Sequence, residues 1–394
     1  MINSSFGKIP KFLPDTVLNL SKIVKEDKRS NVINATVGFI RDESGEIFIP
    51  KVVQQAWKQV KIEPATYLSP KNEYEWLGAE DFIQGALHLI LEKTKPEDVA
   101  SLGTVGGTGA VFSFLMFYAR IVKKPEILLS SPTWPNHTGI CEHLGYKIKT
   151  YQHAHDHQYN FEAHAQAIKK QSAGSVVLFH SARTHNPSGV NPTKHQWKEL
   201  AKLMSDKVAF FDAAYLGLDT SVTEDSFAFN HFHEQGIPTA VAVSFSKNAG
   251  LYNQRTGILL LPQKDRKQAL GLQRMLNALA RIVYSSPPAQ GERVMAQVLS
   301  NSQSRSQWQA ELEEMNLTIQ KRRAIVAEFM PRLGFTSKQF GLFSMLPLNL
   351  EQVVELRHKY GVYLTDSGRI NLGGVTTKQI PILAESLSRV MNGK

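Results

Sequence analysis

The run Val243-Ser244-Phe245-Ser246-Lys247-Asn248-Ala249-Gly250-Leu251-Tyr252-Asn253-Gln254-Arg255-Thr256-Gly257 is the most informative stretch of this chain. A β-rich start ends in two hydroxyls and an amine, followed by a glycine-bearing loop and a guanidinium eight residues after the lysine. Chemistry in which an amine forms an imine beside a bound phosphate uses this set of groups. Lys247 would form the imine, and Ser244, Ser246 and Arg255 can hold phosphate. Gly250 and Gly257 permit close backbone approach. The alternative is a solvated loop lysine, which describes most lysines. The rest of the chain decides between the two.

Working outward, several short apolar runs look like buried strands: 126–129, 175–179, 208–211, 240–243 and 257–261. Segments of helical periodicity separate most of them. This alternation predicts an α/β fold with a mostly parallel sheet covered on both faces. Ligands in such sheets gather at the carboxyl ends of the strands, where the polar residues of interest fall. Beyond Gln307, Leu312, Met315, Ile319, Val326 and Phe329 mark one face of a long helix able to bridge two domains. The remainder reads as a small α+β unit.

Asp212 follows the run 208–211, with Tyr215 three residues later. A carboxylate against a protonated pyridine nitrogen keeps that ring cationic and makes it an electron sink. A turn-capping Asp beside a core-edge Tyr is the plain alternative. His185-Asn186-Pro187-Ser188-Gly189 is a turn by composition, yet the Asn186 amide can donate to a cofactor oxygen or a substrate carboxylate. Val105-Gly106-Gly107-Thr108-Gly109-Ala110 precedes a helical segment expected from about Val111, and a glycine-rich helix start offers free amides to phosphate. Trp134 can stack on a flat ring, and His137 can orient Asp212. Arg281 and Arg369 are candidates for gripping carboxylates bidentately.

Composition narrows the classes. The 394 residues suggest about two domains, and 42% hydrophobic with 20% charged residues describes an ordinary globular protein. No signal-peptide core or uninterrupted membrane span is visible, so a cytoplasmic protein without membrane association is expected. One cysteine, Cys141, excludes an internal disulfide and any multi-cysteine metal site; no metal is expected. The net charge of +10 is dispersed. Its densest stretches, such as Lys25 to Arg29 and Lys321-Arg322-Arg323, are short or contain acids, so no nucleic-acid partner is expected.

Together these blocks resemble the fold-type I, class I aminotransferases of the aspartate/aromatic subgroup. The match spans nearly the whole chain, through Ser244 to Arg255, His185 to Gly189, Phe211 to Tyr215, Ser131 to His137, Tyr284 to Pro288 and Ser367 to Asn371. The resemblance implies a large cofactor-binding domain on a seven-stranded, mostly parallel sheet (46–310). A smaller α+β domain would come from both chain ends: an N-terminal arm (1–45) and a C-terminal part with the bridging helix (311–394). It implies pyridoxal 5'-phosphate attached to Lys247 as an imine, with Asp212 on the ring nitrogen and Tyr215 and Asn186 on the ring oxygen. Gly107, Thr108, Ser244, Ser246 and Arg255 would hold the phosphate, and Trp134 would stack on the ring. Arg369 would bind the substrate α-carboxylate beneath a mobile Val37-Gly38 segment. In a homodimer with shared active sites, Tyr67 would reach the neighbour's phosphate and Arg281 its substrate's distal carboxylate. The implied reaction is ping-pong transfer of an amino group between an L-amino acid and a 2-oxo acid such as 2-oxoglutarate.

Substrate range is read from departures. Arg281 argues for dicarboxylates, because only a paired carboxylate rewards a buried guanidinium. Ser286, Ile47 and Phe39 lean toward aromatic substrates, so one pocket serving both classes is the hypothesis. The stretch His180 to His185 is one residue longer than the usual family loop, and Gly341 to Leu346 follows the family pattern only loosely. The rivals are a pyridoxal-phosphate lyase or decarboxylase on the same fold, and a non-catalytic protein that binds the cofactor.

Overall fold

Apolar residues alternate with a period of two along the central strands, and this sorts them onto two faces of one sheet. Val177, Phe179, Ala209, Phe211, Val241 and Val243 face a layer containing Phe82, Trp197, Phe229 and Phe232. Their neighbours Val176, Leu178, Phe210, Ala240 and Ala242 face Val111, Phe114 and Leu276. A strand covered on both faces must be apolar throughout, which is why these stretches read as continuous hydrophobic runs.

The computed structural model describes residues 16–61, 67–180 and 183–392. Seven strands form the main sheet: β1 (Val99–Val105), β2 (Glu126–Ser131), β3 (Lys147–Gln152), β4 (Val176–His180), β5 (Val208–Ala213), β6 (Thr239–Ser244) and β7 (Thr256–Pro262), in the order β1-β7-β6-β5-β4-β2-β3. Only β7 runs antiparallel to its neighbours. All five expected runs lie in this sheet. The two strands without an apolar run are its edges: β1 is interrupted by Ser101, Gly103 and Thr104, and β3 is partly exposed and carries polar residues.

Three expectations need correction. Helix α1 spans Gly106–Ile121, so the glycine-rich run forms its first turn rather than a loop ahead of Val111. Helix α4 spans Ser302–Phe329 and buries Leu312, Met315, Ile319 and Val326, but Phe329 is 57% exposed. Met330, four positions after Val326, takes the buried place instead. Arg322 and Arg323, counted by sequence in a dispersed positive charge, are both fully buried.

The chain ends meet in a smaller unit. Ile33–Asn34 pairs in parallel with Val362–Tyr363, and β8 (Phe343–Met345) pairs antiparallel with β9 (Arg369–Asn371). Its core joins Ile33, Val326, Leu346, Val353, Ile370 and Leu383. Of the expected arm 1–45, residues 1–15 lie outside the described residues, as do Ser181 and Ala182 of the longer loop.

Candidate active site

Strand register does the first work of assembly. Pairing of β4 with β5 sets His180 beside Asp212, and pairing of β5 with β6 sets Ala213 beside Val243. The residues that leave these strands therefore emerge at one carboxyl-terminal edge, where open α/β sheets bind ligands. There a cavity of about 110 Å³ is lined by Gly107, Thr108, Trp134, His180, Asn186, Asp212, Tyr215, Ser244, Ser246, Lys247 and Arg255, among others. Larger clefts exist, one of about 720 Å³ beside Phe39 and Arg41, but convergent titratable groups distinguish the smaller one.

Asp212 is buried, with Nε2 of His137 at 2.8 Å from its Oδ2 and the Ala214 amide donating to its Oδ1 at 3.1 Å. Burial alone would raise its pKa. The His137 hydrogen bond, with the fields of His137, His180 and Lys247, outweighs burial, so the net shift is downward and the carboxylate stays ionised. His137 is held from its other side by Thr133 Oγ1, 2.8 Å from Nδ1. His137, His180 and Asp212 have ligand atoms within 4.8 Å of one another, but His137 already spends both ring nitrogens on Thr133 and Asp212.

The Lys247 amine lies 5.3 Å from the centre of the Tyr215 ring. Burial lowers its pKa to about 8; Asp212 opposes that shift and Arg255 adds to it. An amine that is substantially neutral near pH 8 is a competent nucleophile and base. Burial also raises the Tyr215 phenol and keeps it protonated. Asn186 Nδ2 donates to the Tyr215 hydroxyl at 3.3 Å, and its Oδ1 accepts from Arg369 Nη1 at 3.1 Å. Arg369 Nη2 donates to the Thr36 carbonyl at 2.7 Å. Gly38 passes so close that a Cβ there would sit 3.1 Å from Phe343 Cζ and 3.6 Å from the Tyr215 hydroxyl.

A phosphate-sized anion fits the remaining end. Gly107 and Thr108 lie in the first turn of α1, where backbone amides have no intrahelical partner. Ser246 Oγ is buried without a hydrogen-bond partner, and Ser244 Oγ accepts from the Ser246 amide at 3.2 Å. Arg255, at φ +54°, crowds the space beside Gly106, where a Cβ would lie 2.6 Å from its guanidinium. An unmatched hydroxyl, open amides and a guanidinium at one end, with an ionised carboxylate and a depressed lysine nearby, suit a phosphorylated aldehyde whose ring carries a basic nitrogen.

The structure thus brings together every expected residue except Tyr67 and Arg281. Tyr67 is 82% exposed, and Arg281 is exposed near the end of helix α3 (Arg266–Val283); neither lines this cavity. Sequence reading missed two contributors. His180 ends β4 as Asp212 approaches the end of β5, so the strand-end rule had the means to find it. Phe343, in the stretch Gly341 to Leu346 that departs from the family pattern, packs under Arg369 with ring centre 4.6 Å from the guanidinium, a partner nothing local identifies.

The family model for aminotransferase class I and II matches residues 30–387. The chain is 33% identical to aspartate aminotransferase of Escherichia coli, over 98% of this chain and all of that protein. A crystal structure of an aromatic-amino-acid aminotransferase from Burkholderia pseudomallei, covalently bound to pyridoxal phosphate, superposes with a TM-score of 0.91 at 27% identity, covering 98% of this chain and 99% of that one. The broad specificity aminotransferase from Leishmania mexicana gives 0.89 at 33% identity, covering 98% of each.

Proposed function

This chain belongs to the class I and II aminotransferases and is a pyridoxal-phosphate-dependent transaminase; from that premise we propose which residues carry the reaction and which substrates they take. The observation that carries the assignment is the meeting of a buried ionised Asp212 and a buried, depressed Lys247 in one cavity beside an open anion cradle.

When bound, the cofactor supplies an electron sink for a pair left at the substrate Cα. Lys247 would attach it, and once the incoming amino acid takes that place the free amine would accept the substrate Cα proton. Asp212 would keep a proton on the cofactor's ring nitrogen, while His137 holds Asp212. Gly107, Thr108, Ser244, Ser246 and Arg255 would anchor its phosphate, and Trp134 would cover its ring. Tyr215 and Asn186 would hydrogen-bond its oxygen, and Asn186 also orients Arg369 for the substrate α-carboxylate. Gly38 packs on Phe343 beside the Tyr215 hydroxyl. Two carboxylate-gripping arginines favour amino transfer over decarboxylation or a binding role without turnover.

The substrate proposal is dual. Phe39 meets Tyr252 edge-on at 4.8 Å and Phe343 meets Tyr215 edge-on at 5.8 Å, an aromatic setting suited to aromatic side chains. Arg281 supplies the dicarboxylate function from a second subunit. In support of a homodimer, α3 presents Met275, Ile282 and Val283 to solvent beside Arg281, and Tyr67 is open to reach a neighbour's phosphate. We set the domain limits at 46–310 and 311–394 with the arm 1–45. No helix among the described residues is long and apolar enough to cross a membrane; with one free, buried cysteine, this suits the cytoplasm.

Replacing Lys247 by Ala abolishes covalent cofactor attachment; a variant that still takes up the cofactor in reducible, covalent form overturns the assignment. A screen of amino donors against 2-oxoglutarate tests substrate range, with Arg281→Ala losing dicarboxylates and retaining phenylalanine. No turnover of phenylalanine or tyrosine by the wild type rejects the dual pocket.

A further inference from the structure

The two stretches that depart from the family pattern touch each other. A Cβ on Gly341 would lie 2.8 Å from Thr184 Cβ, and just outside the two stretches the Phe340 amide donates to the Gly189 carbonyl at 3.1 Å. The Arg183 guanidinium lies 5.7 Å from the centre of the Phe340 ring. Arg183 Nε donates to Oδ2 of Asp219, four residues beyond Tyr215, and Asp225 Oδ1 is 4.0 Å away. Arg183 thus ties together the loop before Asn186, the turn after Tyr215 and the segment leading to Phe343.

Arg323 grips the same segment from helix α4. Its guanidinium donates to the carbonyls of Gly341 (2.7 Å), Phe343 (2.8 Å) and Thr336 (3.2 Å), and to the Ser344 hydroxyl (2.8 Å). Burial disfavours its charge, and Asp219 is the acid whose field opposes that cost. Asp219, bonded to Arg183, thus also lends its field to the buried Arg323. The product of these contacts is the placement of Phe343, whose ring backs both Arg369 and Gly38.

We infer that Arg183, Asp219 and Arg323 are positioning residues that fix Phe343 and, through it, the orientation of Arg369. They thereby set affinity for the α-carboxylate common to every amino acid and 2-oxo acid substrate. This rests on the proposed role of Arg369. Arg369 is held at its edges by Asn186 and Thr36 and on its face by Phe343. Freeing that face returns rotamer freedom that binding must then remove, a loss of about three- to ten-fold in affinity. The carboxylate is gripped before and during reaction alike, so the loss falls on KM and spares kcat.

The test uses the holoenzyme with one amino acid and 2-oxoglutarate. Arg183 is partly exposed, so Arg183→Met keeps the stem and removes the ion pair without opening the core. Expected for Arg183→Met and Asp219→Asn is a KM increase of about three- to ten-fold for both substrates, with kcat and cofactor absorbance near wild type and KM recovered in Asp219→Glu. Unchanged KM overturns the inference even if thermal stability falls, because the pair is then only structural. A loss confined to kcat or to one substrate overturns it as well. Arg369→Lys, measured alone, separates the premise: wild-type KM there removes the role given to Arg369, whatever Arg183→Met shows.

Discussion

His137 Nε2 lies 2.8 Å from Asp212 Oδ2, and neither side chain reaches solvent. This contact decides whether a buried carboxyl stays charged, because desolvation works against ionisation and the histidine is the main counterweight. Replacing His137 by Leu should raise the Asp212 pKa and weaken its hold on the ring proton. Hydrogen bonds to charged groups contribute about 1.5–3 kcal/mol, so kcat should fall about ten- to a hundred-fold. Steady-state rates beside cofactor absorbance across pH check this; an unchanged kcat would show that Asp212 needs no such support.

Gly107→Ala places a methyl 2.8 Å from Ser244 Cβ, against a strand end that cannot give way easily. Alanine is the better helix former by about 1 kcal/mol, so helix stability does not predict a loss. Overpacking at the cradle costs about 1–3 kcal/mol, and cofactor affinity should fall about five- to a hundred-fold. Equilibrium dialysis of the cofactor measures it, with the unfolding midpoint of the apoprotein as control.

The Lys247 amine should react with aldehydes in the apoenzyme along a titration centred at about pH 8 rather than at the ordinary lysine value. Linkage gives the sign for stability. Between about pH 8 and the ordinary value the unfolded chain binds the proton and the folded chain does not, so stability from this group rises with pH there. Lys247→Met should flatten that slope. A reactivity midpoint near 10 would contradict the depressed amine.

Glu292 is fully buried, with the Ala79 amide donating to Oε2 at 2.7 Å and Oε1 without a partner. Burial pushes its pKa up to about 8, so the folded state keeps a proton that the unfolded state releases above its ordinary value. Stability from this group is therefore present at low pH and is lost as pH rises toward 8. Glu292→Gln, of similar shape and uncharged, should match the wild type near pH 5 and exceed its thermal midpoint at pH 8. Equal midpoints at both pH values would show that the carboxyl is not held neutral.

The local sequence was enough for the parts whose physics is local. Strands covered on both faces must be apolar along their length, so five of them were visible as runs, whereas β1 and β3 at the sheet edges had no need to be. Residues that follow those runs had to emerge together, which placed Asp212 and Lys247 in one site. Phe329 misled because a helix face drifts over a long span, and Met330 took its place. The burial of two adjacent arginines was not legible, since nothing local shows that distant carbonyls will surround Arg323.

By itself the sequence determined the fold class and which side chains leave the strand ends together, because these follow from apolar runs and spacing, while the cofactor came from the family resemblance. Only the tertiary structure decided how those residues are tuned and braced: His180 beside Asp212, Phe343 under Arg369, and Asp219 on Arg183. The reason is physical: desolvation, hydrogen bonding and packing depend on groups remote in the chain, and the fold alone sets which of them become neighbours.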